Sequence, residues 1–101
     1  PKGINENEVL DKVSYQKDVD GLHPINVAHL VLRGREPRYV ACTPFGCLKL
    51  IQSVKEDISG LKACVLGRSN IVGIPMFNLL QKANATVTLC HSQTKDIESV
   101  I

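Results

Sequence analysis

The run Val65-Leu66-Gly67-Arg68-Ser69-Asn70-Ile71-Val72-Gly73-Ile74-Pro75 constrains the fold of this chain more than any other feature. It follows a short apolar segment, 62–66, and precedes Met76, Leu79, Leu80 and Ala83, which recur at helical spacing. Strand, glycine-bearing turn and helix in that order set backbone N–H groups where a phosphate can sit. Residues 85–90 are rich in β-branched side chains and read as a second strand. Residues 62–90 therefore predict one βαβ unit with a parallel strand pair and a right-handed crossover. The lack of alternation in 62–66 predicts a strand buried on both faces. Pro75 is expected at the start of the helix and Asn84 as a left-handed cap after it.

The rest of the chain reads as short helices and turns. Asn5 is a candidate N-cap with Glu8 three residues on, and Val9, Leu10 and Val13 form the apolar side of that helix. Residues 18–21 read as an acidic turn. A second helix is predicted over 27–32, ended by Gly34, and Pro37 then breaks the chain. Cys42-Thr43-Pro44 reads as a helix start with Thr43 as cap and Pro44 in the first turn. Cys47, Leu48, Ile51 and Val54 should face a core. Residues 57–61 read as a turn. The absence of an initiator methionine, with a helical pattern at 97–101, predicts a piece of a longer enzyme.

Composition narrows the class. A length of 101 residues suits about one small domain. A net charge of +2, scattered basic residues and few aromatics argue against a nucleic-acid partner. No apolar run approaches the roughly 18 residues of a spanning helix, and no secretory signal is visible, so a cytoplasmic protein is expected. Cys42, Cys47, Cys64 and Cys90 form no C-x-x-C pair and lack a histidine at metal-ligand spacing. They read as reduced, partly buried thiols, with no metal site.

The glycine turn departs from the common G-x-G-x-x-G fingerprint and reads Gly67-x-Ser69-x-x-x-Gly73-x-Pro75. Between strand and helix, with an arginine and a serine inside it, it points to a nucleotide; a purely structural turn is the alternative. The loop after the second strand decides which nucleotide. Enzymes selective for NAD usually place an Asp or Glu there, about 20 residues past the glycines, to hold the ribose 2′-hydroxyl. Here the loop holds His91 and Ser92, with no acid until Asp96. A hydroxyl and an imidazole N–H can donate to a 2′-phosphate, and Arg68 can reach it from the first turn. NADP is the expected cofactor. The alternative is that Ser92 caps a turn and Arg68 is a solvated charge. Asp18 and Asp20 share a face if their segment is extended, although a carboxylate in a turn is ordinarily a cap. His23 and His29 read as structural or exposed, and Arg33, Arg35 and Arg38 as a solvated basic loop.

Five ordered motifs carry a likeness: Lys17-Asp18-Val19-Asp20-Gly21, Pro24-Ile25-Asn26, Cys42-Thr43-Pro44-x-Gly46, Gly67-Arg68-Ser69-Asn70-Ile71-Val72-Gly73-x-Pro75, and Ala85-Thr86-Val87-Thr88-x-Cys90-His91-Ser92-x-Thr94. Over nearly its whole length the chain resembles the bifunctional methylenetetrahydrofolate dehydrogenase/methenyltetrahydrofolate cyclohydrolase family. The resemblance implies an α/β protein, the end of an α/β folate domain (1–38) followed by the first half of a Rossmann-like, parallel-sheet NADP-binding domain (39–101). It implies NADP-dependent oxidation of 5,10-methylenetetrahydrofolate, hydrolysis of the methenyl product to 10-formyltetrahydrofolate, and a homodimer. By the same likeness Asp20 contacts the pterin, and Gly67, Arg68 and Ser69 line the NADP site. Ser92 joins Arg68 on the 2′-phosphate, and Cys42 and Thr43 lie near the cleft, with Thr43 on the cofactor side. The family's catalytic lysine belongs to a Tyr-x-x-x-Lys motif; neither Tyr15 nor Tyr39 has a lysine four residues on, so no catalytic residue is expected in this chain. Pro1 would close the family's Pro-Leu-Pro segment. Two other readings stay open: a piece that binds nucleotide without turnover, and an unrelated NADP-dependent oxidoreductase, against which the acidic turn speaks.

Overall fold

The computed structural model describes residues 2–101; Pro1, and with it the end of a Pro-Leu-Pro segment, lies outside them. Helix α1 spans Glu6–Asp11, and the Asn5 side chain accepts from the backbone N–H groups of Asn7 and Glu8, as its position predicts. A single 3₁₀ turn follows at Tyr15–Lys17. Helix α2, Pro24–Val31, begins three residues before the predicted start. Pro24 needs no N–H partner in the first turn, and His23 Nδ1 accepts from the N–H of Ile25 at 3.1 Å, so the imidazole supplies the cap that the sequence did not reveal.

Helix α3, Cys42–Val54, starts one residue before Thr43. Ala41 is its N-cap and Thr43 lies inside the first turn, so the expected Thr43 cap is not formed. Strand β1, Lys62–Leu66, helix α4, Gly73–Lys82, and strand β2, Thr86–Cys90, follow. The strands pair in parallel, with Leu66 opposite Cys90. Pro75 sits in the third position of α4, which Gly73 opens. Asn84 takes the predicted left-handed conformation, φ 70°, and Ala85 N–H returns to Leu80 O at 3.1 Å. A short helix, α5, spans Ile97–Val100.

Helix α4 is the centre of the packing, in contact with both strands, α2 and α3. Leu79, Leu80 and Met76 bury its inner face against Val65 of β1, Leu48 of α3, Leu30 of α2, Ile58 and Ala85. Each of these side chains larger than alanine contributes about 1.5–3 kcal/mol of burial. Leu30 places α2 in the same core as the strand pair.

Three burial expectations fail for one reason: the described residues offer nothing to cover those faces. Strand β1 is covered on one side only, with Ala63 and Val65 turned to α4 while Cys64 is exposed and Leu66 is 64% exposed. On α3, Leu48 is buried, whereas Cys47 and Ile51 are exposed and Val54 is 90% exposed. Val9 on α1 and Val13, two residues past its end, are exposed. Cys90 alone among the thiols is fully buried, 3.6 Å from Cys64 Sγ; burial, then the contact with Cys64, pushes its pKa up and keeps it a neutral thiol.

Candidate functional site

Parallel pairing brings the carboxyl ends of β1 and β2 to one level, and Gly67 N–H extends the ladder by one bond to Cys90 O at 2.7 Å. Both following loops therefore leave from neighbouring strands, which in a sheet run about 4.8 Å apart. Arg68 stands two residues beyond Leu66, and Ser92 two residues beyond its partner Cys90. Both are exposed. Among the described residues neither the Arg68 guanidinium nor the Ser92 hydroxyl has a hydrogen-bond or ion-pair partner, so Ser92 is not a turn cap.

Two glycines shape the first loop. Gly67 has φ +113°, a conformation that favours glycine. Gly73 lies so close beneath it that a Cβ would run into Gly67 O. Between them Ser69 Oγ accepts from the N–H groups of Val72 and Gly73 at 3.1 and 3.3 Å. Its own hydrogen stays available as a donor. The α4 N-terminus adds a favourable field for an anion. In the second loop Thr94 Oγ1 accepts from His91 N–H at 2.8 Å, and His91 Nδ1 accepts from Gln93 N–H at 3.2 Å. That leaves Nε2 as the imidazole's one donor.

The two aspartates part company. Asp18 is 6% exposed and accepts from Leu22 N–H (3.1 Å), His23 N–H (2.8 Å) and Asn26 Nδ2 (2.9 Å). Burial alone would raise its pKa, but the donations from Asn26, His23 and Leu22 outweigh it and hold the carboxyl below its ordinary value. Asp20 is exposed, with no partner among the described residues. The segment is a turn closed by Gly21 N–H to Asp18 O at 3.0 Å, so the shared face expected of an extended strand does not exist. Asn26, 1% exposed, also donates to Tyr15 O and accepts from Arg38 N–H. Sequence reading passed over Asn26 and the buried role of Asp18; the one available signal was a paired acid and amide within nine residues of a glycine turn.

A cleft of about 850 Å³ opens between α1, α2 and residues 70–75. Gly21 and Leu22 form one side and Asn70, Ile71 and Ile74 another. The acidic turn and the glycine turn thus border one space, while Asp20, Arg68, Ser69, Ser92 and Thr43 stand outside its lining. Thr43 is exposed at the head of α3 and is not joined to the other predicted site residues by any hydrogen bond. Among the described residues no group of acids, histidines and cysteines could hold a metal, and no helix is long and apolar enough to cross a membrane.

Residues 41–101 match the family described as tetrahydrofolate dehydrogenase/cyclohydrolase, NAD(P)-binding domain. Bifunctional protein FolD 2 of Arabidopsis thaliana is 54% identical over 101 residues, which are 100% of this chain and 34% of that protein. Bifunctional protein FolD of Listeria innocua is 51% identical over 99% of this chain and 34% of its own length. The crystal structure of the Trypanosoma brucei methylenetetrahydrofolate dehydrogenase-cyclohydrolase, complexed with NADP cofactor and inhibitor, superposes with a TM-score of 0.90 at 38% identity, covering 100% of this chain and 35% of that one. The chain spans about a third of the length of these relatives. The family match over more than half of the chain and relatives of this identity place it: the chain belongs to the tetrahydrofolate dehydrogenase/cyclohydrolase family, and residues 41–101 belong to its NAD(P)-binding domain.

Proposed function

We propose that the whole protein oxidises 5,10-methylenetetrahydrofolate with NADP and hydrolyses the methenyl product to 10-formyltetrahydrofolate. The observation that carries the choice of cofactor is the pair Arg68 and Ser92, each two residues past the ends of paired strands, with no carboxylate at either place. A 2′-phosphate finds a guanidinium and a free hydroxyl there, whereas the acid that would favour a 2′-hydroxyl is missing. Gly67, with open space where a side chain would stand, lets backbone approach the pyrophosphate, Gly73 lets the loop close onto the head of α4, and Ser69 keeps one donor for the pyrophosphate. Bound NADP supplies the hydride acceptor. Asp20, unpartnered on the turn beside the cleft, is the pterin contact in this reading, because a carboxylate suits a ring edge that presents N–H groups. Thr43, at the head of α3, is assigned to the cofactor side of the cleft on family likeness alone. The general acid–base group belongs to a part of the protein outside these residues, so the 101-residue chain by itself is expected to be inactive.

Residues 1–38 are assigned to the folate side and 39–101 to the cofactor side. A homodimer through the cofactor side would bury apolar surface such as Leu66, which this chain leaves open. The cytoplasm is the proposed compartment, and four free thiols fit a reducing one.

The test is the formation of methenyltetrahydrofolate by the full-length protein with NADP and with NAD. Turnover preferring NADP is expected; equal rates with both would overturn the 2′-phosphate assignment. Arg68→Ala should weaken NADP by about 1.5–3 kcal/mol while sparing NAD. Equal loss for both cofactors would remove Arg68 from that role.

A further inference from the structure

The turn that carries Asp20 is fastened by a buried pair that takes no part in the chemistry above. Asp18 uses both oxygens: Oδ1 accepts from Leu22 N–H, and Oδ2 from His23 N–H and the Asn26 amide. Asn26 uses both amide hydrogens, on Asp18 Oδ2 and Tyr15 O, and its oxygen accepts from Arg38 N–H. Its amide cannot be flipped without setting NH₂ against N–H and oxygen against carboxylate. On the other side of Asp20, Gly21 has φ +69° and lies against backbone, where a Cβ would stand 2.9 Å from Ala41 N and from Tyr39 O. Asp20 is therefore held between two fixed points, one a charge-assisted network and the other a contact that admits no side chain.

We infer that Asp18 is a positioning residue for folate capture, acting through the Asn26 amide to lock the Asp20 turn onto residues 38–41 at the edge of the cleft. The inference rests on the reading of Asp20 as the pterin contact. A carboxylate held in place before the ligand arrives loses little freedom on binding, which is where such a lock gains affinity. Residues 38–41 lead directly into α3, so the same lock fixes the folate-side turn to the cofactor side. A role confined to stability would affect both substrates alike; a positioning role affects the folate.

The test is a double-mutant cycle in the full-length enzyme with Asp18→Asn, Asp20→Ala and the pair. Asparagine keeps the shape of Asp18 but offers one acceptor oxygen where three donors converge. Asp18→Asn should raise KM for methylenetetrahydrofolate by about tenfold and leave KM for NADP within about twofold. With Asp20 already removed, Asp18→Asn should add little, because the two act on one contact. A silent Asp18→Asn beside an impaired Asp20→Ala overturns the inference and leaves the Asp20 reading standing. Fully additive effects, or an equal rise in both KM values, also overturn it. A silent Asp20→Ala overturns the pterin reading and the inference with it. Where Asp18→Asn does not give folded enzyme, Asp18→Glu, which keeps the charge and both acceptors but displaces them, is read in the same cycle by the same criteria.

Discussion

Residues 62–92 and residues 12–41 are held by different forces. The first region is a ladder and a helix around apolar side chains: Val65, Met76, Leu79, Leu80 and Ala85 are buried, and its polar groups sit at the rim. The second buries few apolar side chains, and its centre is a carboxylate and an amide, Asp18 and Asn26. The first kind of order is distributed, so that no single contact decides it. The second is concentrated in a few charge-assisted bonds and is correspondingly easy to break at one position. The residues proposed for binding stand at the edge of both, Arg68 and Ser92 on the ladder and Asp20 on the polar turn.

The sharpest exception to distributed order is Gly73, and it carries the largest expected effect. Gly73→Ala puts a methyl where Gly67 O and Arg68 Cα already stand. All the close atoms are backbone, so the loop must move. Denaturant unfolding of the full-length protein should show a loss of about 3 kcal/mol or more, above the usual range for overpacking. NADP binding should fall with it, because Arg68 and Ser69 ride on the displaced loop. A variant as stable as wild type would mean that the ladder region tolerates even this, and the contrast with the polar turn would be wider than drawn.

The polar turn should betray itself by pH. The folded-state pKa of Asp18 lies below its ordinary value of 3.8. Such a group contributes stability at pH above its unfolded value and loses that contribution as pH falls through the lowered folded value. Asp57, held low by the N–H of Ser59, titrates in the same window, so the useful quantity is the difference between wild type and Asp18→Asn. Asp18→Asn should cost about 1–3 kcal/mol at neutral pH, as expected for unpaired buried donors. The gap should narrow below pH 4. A gap independent of pH would show that the ionised form of Asp18 does not hold the turn.

The same contrast decides how much could be read in advance. The ladder region is legible in its apolar runs and helical spacing: the strand at 62–66 and Met76, Leu79 and Leu80 fall where pattern puts them, and Asn84 takes its left-handed turn. What failed there was coverage. Periodicity says which face is apolar, not whether a neighbour is present to bury it, and so Leu66, like Val54 on the neighbouring α3, is exposed. The polar turn was legible only as a motif. Nothing local says that Asp18 turns inward and Asp20 outward, because the choice is made by Asn26, eight residues on, and by Arg38, twelve beyond that. Thr43 illustrates a nearer miss: a good cap residue lost its role because Ala41 starts the helix and Pro44 fits equally well in its third position.

Ser69 is where the two kinds of order meet, and it gives the smallest effect with the most to say. It belongs to the ladder region, yet it acts as a polar fastening, since Oγ takes the N–H groups of Val72 and Gly73 at the mouth of α4. Ser69→Ala should cost about 1 kcal/mol, as for a lost N-cap. That is a fraction of the Gly73→Ala loss, because the core beneath α4 is untouched. The hydroxyl hydrogen has no partner within the turn. If it donates to the cofactor, Ser69→Ala should also raise KM for NADP by about three- to tenfold, the worth of one hydrogen bond. Adding Arg68→Ala should then multiply the defect, because the two groups serve different phosphates. An unchanged KM beside the expected loss of stability would confine Ser69 to fastening the turn, and the cofactor would be left to Arg68, Ser92 and the backbone.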